Sequence, residues 1–212
     1  MRCLGSNSQE NCKRAIETIK RYLGTDNALY LSSGRAALWL YLKTLAATNR
    51  ERREVIVPAY TCPSVVSAVL KAGLVPVLCD NRTEDLGLHP GELEKKLGRK
   101  TLAVVVVHLY GAPAKIDKIE ELCQSSGACL VEDAAQAFGN LFPGTDNLKL
   151  GLKGDAGFYS FGRGKPISIM HGGLLVVNSP GMFHEVERIA AGLSSDAAHS
   201  RYVISLGSYA LF

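Results

Sequence analysis

Lys165 is presented by a pattern that suits covalent chemistry. It lies in Gly157-Phe158-Tyr159-Ser160-Phe161-Gly162-Arg163-Gly164-Lys165-Pro166, followed by His171-Gly172-Gly173. An apolar, strand-like run, Ala156 to Phe161, ends in a glycine-rich turn that offers one amine. Upstream, Ala128-Cys129-Leu130-Val131-Glu132-Asp133-Ala134-Ala135-Gln136 is a second apolar run that ends in a carboxylate. One strand delivering an acid and another delivering a lysine suit an aldehyde cofactor. The amine would bond to the aldehyde, and Asp133 would hold a protonated ring nitrogen. A carboxylate at the end of a buried strand is costly unless paired, and a ring cation would supply that partner. Gln136 is then placed to donate to a ring hydroxyl oxygen, and Ser160 to add a hydroxyl to a phosphate cup. Each has a plainer explanation alone: a solvated loop lysine, and an aspartate capping the next helix.

A third stretch, Ser32-Ser33-Gly34-Arg35-Ala36-Ala37, opens a helix. Such a turn exposes free N–H groups at the positive end of the helix dipole, which suits phosphate. The plainer reading is an N-cap by Ser32 or Ser33. A P-loop at Gly162-Arg163-Gly164-Lys165 fails twice. Tyr159 stands at the first glycine position, and Pro166 stands where Ser or Thr is needed. His108, in Val107-His108-Leu109-Tyr110-Gly111, closes a buried strand and reads as a satisfied structural histidine. Cys62 reads as a packing residue without a histidine partner, and Trp39 as core.

The elements that must position these residues alternate along the chain. Helices are expected over 8–23, from 36 onward, and over 65–72, 90–97, 116–125 and 180–191. Strands are expected over 28–31, 54–58, 75–80, 102–108, 129–133, 156–161 and 173–178, with a loop over 141–153. Pro63 suits a helix start, and Gly24 and Gly73 suit helix stops. Strands alternating with helices give an α/β fold, with a largely parallel sheet and helices on both faces. Ligands collect at the carboxyl ends of such strands, where Asp80, His108, Asp133 and Ser160 fall.

The chain has 212 residues, 47% apolar and 21% charged, with a formal charge of +4. That is one domain, two at most, with enough chain for a proper core. The basic residues are scattered, so no nucleic-acid partner is expected. The most apolar run, Leu102 to Tyr110, is far too short to span a bilayer, and no membrane partner is expected. The six cysteines form no CxxC pair and have no histidine at zinc-finger spacing, so no metal is expected. A reducing, cytoplasmic location fits them best.

Three stretches in order carry a resemblance: Ser33-Gly34-Arg35-Ala36-Ala37-Leu38, then Glu132-Asp133-Ala134-Ala135-Gln136, then Ser160-Phe161 with Lys165 and Gly172-Gly173. Together they resemble the DegT/DnrJ/EryC1/StrS family of sugar aminotransferases, which depend on pyridoxal 5'-phosphate. Val55 to Thr61, Ala72 to Val77 and Val107 to Gly111 add to the likeness, which runs from about residue 10 to residue 193. It implies the large domain of a fold type I transferase, with a mainly parallel mixed sheet. It divides the chain into an N-terminal helical segment (1–30), a cofactor-binding domain (31–193) and a tail (194–212). Lys165 corresponds to the lysine that carries the cofactor and shuttles its proton, Asp133 to the partner of the pyridine nitrogen, and Gln136 to the residue on the ring hydroxyl. Ser160 and the amides of Gly34 and Arg35 correspond to phosphate ligands. The implied reaction moves an amino group, usually from glutamate, to a ketone on a nucleotide-linked sugar, in a homodimer whose sites are completed by the partner chain. Two departures stand out. Arg35 often has Thr as its counterpart, and Cys62 stands where an aromatic often covers the ring, a part Tyr60 is also placed to play. Family members continue into a smaller C-terminal domain. This chain stops at Tyr209-Ala210-Leu211-Phe212, so that domain is expected to be missing, and a non-catalytic remnant or dimerisation partner of a complete homologue is the alternative reading.

Overall fold

The computed structural model describes residues 5–194. Seven strands form one sheet: β1 (Ala28–Leu31), β2 (Glu54–Pro58), β3 (Val75–Cys79), β4 (Thr101–Val107), β5 (Cys129–Asp133), β6 (Ala156–Ser160) and β7 (Gly173–Val177). Their order across the sheet is β1-β7-β6-β5-β4-β2-β3. The run from β3 through β2, β4 and β5 to β6 is parallel, while β7 runs antiparallel to both β6 and β1. The sheet is therefore mixed and mainly parallel, as the resemblance implies.

Among the described residues six α-helices accompany it: α1 (Gly5–Leu23), α2 (Gly34–Thr48), α3 (Pro63–Lys71), α4 (Pro90–Lys96), α5 (Asp117–Ser126) and α6 (Pro180–Ser194). Strand side chains alternate between two cores. Val55, Val57, Val105, Val131 and Phe158 point to one face, where they pack with α2, α3 and α6. Ile56, Val104, Val106, Leu130 and Tyr159 point to the other, with residues of α1, α4 and α5. Helix α2 is apolar nearly all round because it is sandwiched. Ala36 to Leu42 are all buried, and Trp39 donates its Nε1–H to the carbonyl of Lys71 at 3.2 Å.

Most element boundaries fall within a residue or two of the sequence expectation. Pro63 opens α3, and Gly24 and Gly73 end their helices with φ of +77° each. The stretch 134–155 is an irregular excursion between β5 and β6. The tail expected from residue 194 lies, apart from the last residue of α6, outside the described residues. Among the described residues no helix is long and apolar enough to cross a membrane.

Candidate active site

The carboxyl ends of β2, β4, β5 and β6 and the start of α2 enclose a cavity of about 500 Å³. Its lining includes Gly34, Arg35, Cys62, Asp133, Gln136, Ser160 and Lys165. Every candidate site residue read from the sequence therefore meets at one place. Parallel strands deliver their last side chains to one edge of the sheet, and this geometry makes the convergence.

The start of α2 forms one end of the cavity. Ser33 is its N-cap, and its Oγ accepts from the Ala36 N–H at 3.1 Å. The capping reading thus holds for Ser33, and Ser32 is not the cap. With that hydroxyl spent, helix geometry leaves the amides of Gly34 and Arg35 without intrahelical acceptors, at the positive end of the dipole. Gly34 is needed for closeness. A Cβ there would stand 3.1 Å from both the Ser160 Cβ and the Tyr159 carbonyl oxygen. A Cβ on Gly173 would fall on the backbone of Ser33 and Gly34. The helix start is therefore pressed against the ends of β6 and β7.

Asp133 ends β5 and is 6% exposed. Its Oδ1 accepts from the Ala135 N–H at 3.0 Å, yet the following residues form turns, not a helix, so it caps none. Among the described residues no cationic side chain ion-pairs with it. Burial pushes its carboxyl up to about 6, against the pull of the Ala135 amide and the positive charge of Lys165. Lys165 sits in the turn after β6, half-buried, its own N–H donating to the Gly162 carbonyl at 3.3 Å. Gln136 accepts the Tyr110 N–H on Oε1 at 3.0 Å, which leaves its NH2 group for the cavity.

The neighbouring acid has a different task. Glu132 points to the opposite face of the sheet and is fully buried. Its Oε1 accepts from the amides of Lys153 and Gly154, both at 2.6 Å, and its Oε2 from the Gly151 amide at 2.9 Å. His108 adds the fourth bond, Nε2 to Oε2 at 2.8 Å. The Nδ1 of that ring accepts from the Ala114 N–H, so Nε2 carries the proton and the imidazole is neutral. His108 is thus the satisfied structural histidine expected, although it also lines the cavity floor. The sequence reading missed Glu132 as a hub that ties the loop before β6 to the ends of β4 and β5. It also missed Thr61, whose Oγ1 is buried at the cavity without a partner. An acid inside an apolar strand run, directly preceding a second acid, was the available signal for Glu132; Thr61 has no mark beyond its place after a strand, in the stretch from Val55 that adds to the resemblance.

The donor set suits pyridoxal 5'-phosphate. A cup without room for a Cβ faces free amides, a buried carboxylate lacks a cation, a hydroxyl lacks a partner, and a lysine lines the same cavity. Among the described residues no group of three or more His, Cys, Asp or Glu is arranged to hold a metal ion.

Comparison with known proteins agrees with this geometry. The family model described as the DegT/DnrJ/EryC1/StrS aminotransferase family matches residues 7–208. The chain belongs to that family. It is 34% identical over 158 residues to a GDP-perosamine synthase of Vibrio cholerae, covering 74% of this chain and 42% of that protein. It is 33% identical over 187 residues to an L-glutamine:2-deoxy-scyllo-inosose aminotransferase of Streptomyces paromomycinus, covering 88% of this chain and 42% of that protein. Among solved structures, DesV of S. venezuelae superposes with a TM-score of 0.75 at 32% identity, over 87% of this chain and 48% of that one. The chain thus spans less than half the length of these relatives. Its fold is that of the fold type I sugar aminotransferases.

Proposed function

We propose that this chain holds pyridoxal 5'-phosphate and forms the cofactor-binding part of a sugar aminotransferase. The observation that carries the proposal is Asp133: buried, unpaired with any cation, and on the floor of the cavity that Lys165 enters. When bound, the cofactor supplies an electron sink for the carbon that gains or loses the amine. In this reading Lys165 would hold the cofactor through its aldehyde and would be the group that moves a proton there. Asp133 keeps the ring nitrogen protonated, and Gln136 donates to the ring hydroxyl. The amides of Gly34 and Arg35 and the hydroxyl of Ser160 hold the phosphate. Cys62 lines the cavity beside Thr61 and would stand on the side of the ring, at the position the resemblance assigns to a ring-covering residue.

The substrates are proposed from the relatives. An amino group passes from glutamate or a similar amino acid to a keto group on a nucleotide-linked or cyclic sugar. The GDP-perosamine synthase and the inosose aminotransferase support that class by name. A homodimer, a division into residues 1–30, 31–193 and 194–212, and a cytoplasmic setting complete the reading. Burial pushes the thiols of Cys79 and Cys129 up to about 11 and that of Cys123 to about 12. Such thiols stay protonated and inert, which suits a reducing compartment.

The test is cofactor uptake by the purified chain. Wild type should acquire the absorbance of lysine-bound pyridoxal phosphate, and Lys165→Ala should lack it. A folded chain that never takes up the cofactor would refute the proposal. A second reading is a partner without turnover. It predicts cofactor uptake with no amine transfer to any keto-sugar nucleotide, and robust transfer by this chain alone would end it.

A further inference from the structure

Two tyrosines stand at the mouth of the cavity; Tyr60 has a part in the reading above only as a ring cover by resemblance, and Tyr110 has none. Tyr60 follows β2 and Tyr110 follows β4, and those strands are neighbours in the sheet. Their hydroxyls meet at 3.1 Å, although the residues are 50% and 73% exposed. Both line the cavity. Two hydroxyls in water gain little from each other and lose rotamer freedom when held together. Here the backbones impose the contact. The Tyr60 N–H donates to Asn81 Oδ1 at 2.8 Å, and Asn81 Nδ2 donates in turn to the Leu86 carbonyl at 2.6 Å.

Tyr110 is held more firmly still. Its φ of +54° lies in the left-handed region, which a bulky residue rarely adopts. Such a residue costs roughly 1–3 kcal/mol and persists where its surroundings over-determine it, often at ligand clamps. The surroundings do so here. The Tyr110 N–H is bonded to Gln136, and Asn140 Nδ2 donates to the Gly111 carbonyl at 2.8 Å. Gly111 follows at φ +82°, where a Cβ would stand 2.9 Å from the Gln136 carbonyl oxygen. The turn is thus clamped to residues 136–140, and the clamp brings the Tyr110 ring to the rim. The bond to Tyr60 also holds the Tyr110 phenol above its usual pKa.

Between these loops stands Cys62. It is exposed, and its Sγ lies 3.0 Å from the hydroxyl of Ser64, a residue of its own turn. A small side chain engaged there covers little of the cavity.

We propose that Tyr60 and Tyr110 form a hydroxyl-bridged clasp that closes the outer side of the cofactor cavity and retains the cofactor, a task Cys62 is too small to perform. The proposal rests on the cofactor reading. The same turn that sets the Tyr110 ring also fixes the Gln136 amide, so the clasp and the contact to the ring hydroxyl are built as one unit. Both tyrosines are positioning residues: they hold the cofactor and exchange no proton with it.

The experiment titrates the apoprotein with pyridoxal phosphate and follows binding by absorbance and by tyrosine and tryptophan fluorescence. Tyr60→Phe and Tyr110→Phe keep both rings and remove the bridge, and each should weaken binding on the order of five-fold, as expected for one hydrogen bond. The double variant should bind no more weakly than either single variant, because only one bond is lost. Tyr22→Phe, at a tyrosine outside the cavity, should bind as wild type. In a Cys62→Phe background, where an aromatic covers the site, Tyr110→Phe should have no effect. Single variants that bind as wild type, or losses that multiply in the double variant, would overturn the clasp alone. A wild-type chain that takes up no cofactor would overturn the cofactor reading and the clasp together.

Discussion

Replacing Asp133 by Asn should make the cofactor-free protein more stable and the cofactor weaker. Burial raises the carboxyl from its ordinary 3.8 to about 6. The folded state therefore binds this proton more tightly than the unfolded chain does. Stability is unaffected below the unfolded value, falls as pH rises from about 4 through about 6, and is flat above that. At about 1.4 kcal/mol per unit, the span of roughly two units amounts to about 3 kcal/mol at most. An Asn side chain keeps its oxygen for the Ala135 N–H and carries no charge. The variant should match wild type near pH 4 and exceed it by up to about 3 kcal/mol at pH 7.5. In a domain of this size that corresponds to a melting temperature higher by about 6–12 °C. Thermal melts of both apoproteins between pH 4.5 and 8 measure the difference and cancel the titration of other groups. Added pyridoxal phosphate should then reverse the order, since only wild type offers the ring nitrogen an anion. Wild-type affinity should itself weaken below about pH 6, as Asp133 takes up its proton. Parallel melting curves for the two apoproteins would refute the buried, unpaired carboxylate. Equal stabilisation of both by the cofactor would refute its pairing with the ring.

Two further substitutions probe the walls of the site. Gly34→Ala places a methyl 3.1 Å from the Tyr159 carbonyl oxygen and the Ser160 Cβ, and backbone cannot yield as a side-chain tip does. Helix propensity alone would favour Ala by about 1 kcal/mol. The overpacking should outweigh it, with a net loss of about 1–2 kcal/mol in urea unfolding and cofactor binding weakened about ten-fold or more. A stabilised variant with unchanged affinity would contradict the close contact. Glu132→Gln turns one acceptor oxygen into a donor facing amides that already donate, and should cost about 1–3 kcal/mol in denaturant unfolding. A loss under about 1 kcal/mol would show that the four bonds to this carboxylate do not hold the loop.

Hydrophobic periodicity made most of the sheet legible. The valines of β4 and the runs that end at Asp133 and Ser160 announce buried strands, and parallel strands bring their ends to one edge. The local candidates converge for that reason. Strand direction was not legible in the same way: the apolar run of β7 reads alike whichever way it points, and only pairing with β6 and β1 settles it. Glu132 and Asp133 are adjacent in the chain, but strand pleating sends them to opposite faces, so one serves the cavity and the other the scaffold. The partners of Glu132 lie in the irregular stretch 151–154, which carries no periodic signal. The meeting of Tyr60 with Tyr110 needs two turns at the ends of neighbouring strands and a left-handed backbone at a tyrosine. No propensity rule predicts that conformation.

The contact of Ser33 and Gly34 with Gly172 and Gly173 has a consequence for synthesis. The Gly172 N–H donates to the Ser32 carbonyl at 3.0 Å, and Ser33 and Gly172 form a β-bridge. The anion cradle is thus assembled from an early helix and the last strand of the described residues. A nascent chain would have to keep its sheet open, with the β1 position unfilled, until β7 emerges and inserts between β1 and β6. Closing the cradle therefore waits for β7 to pair, a contact of long sequence separation from the start of α2.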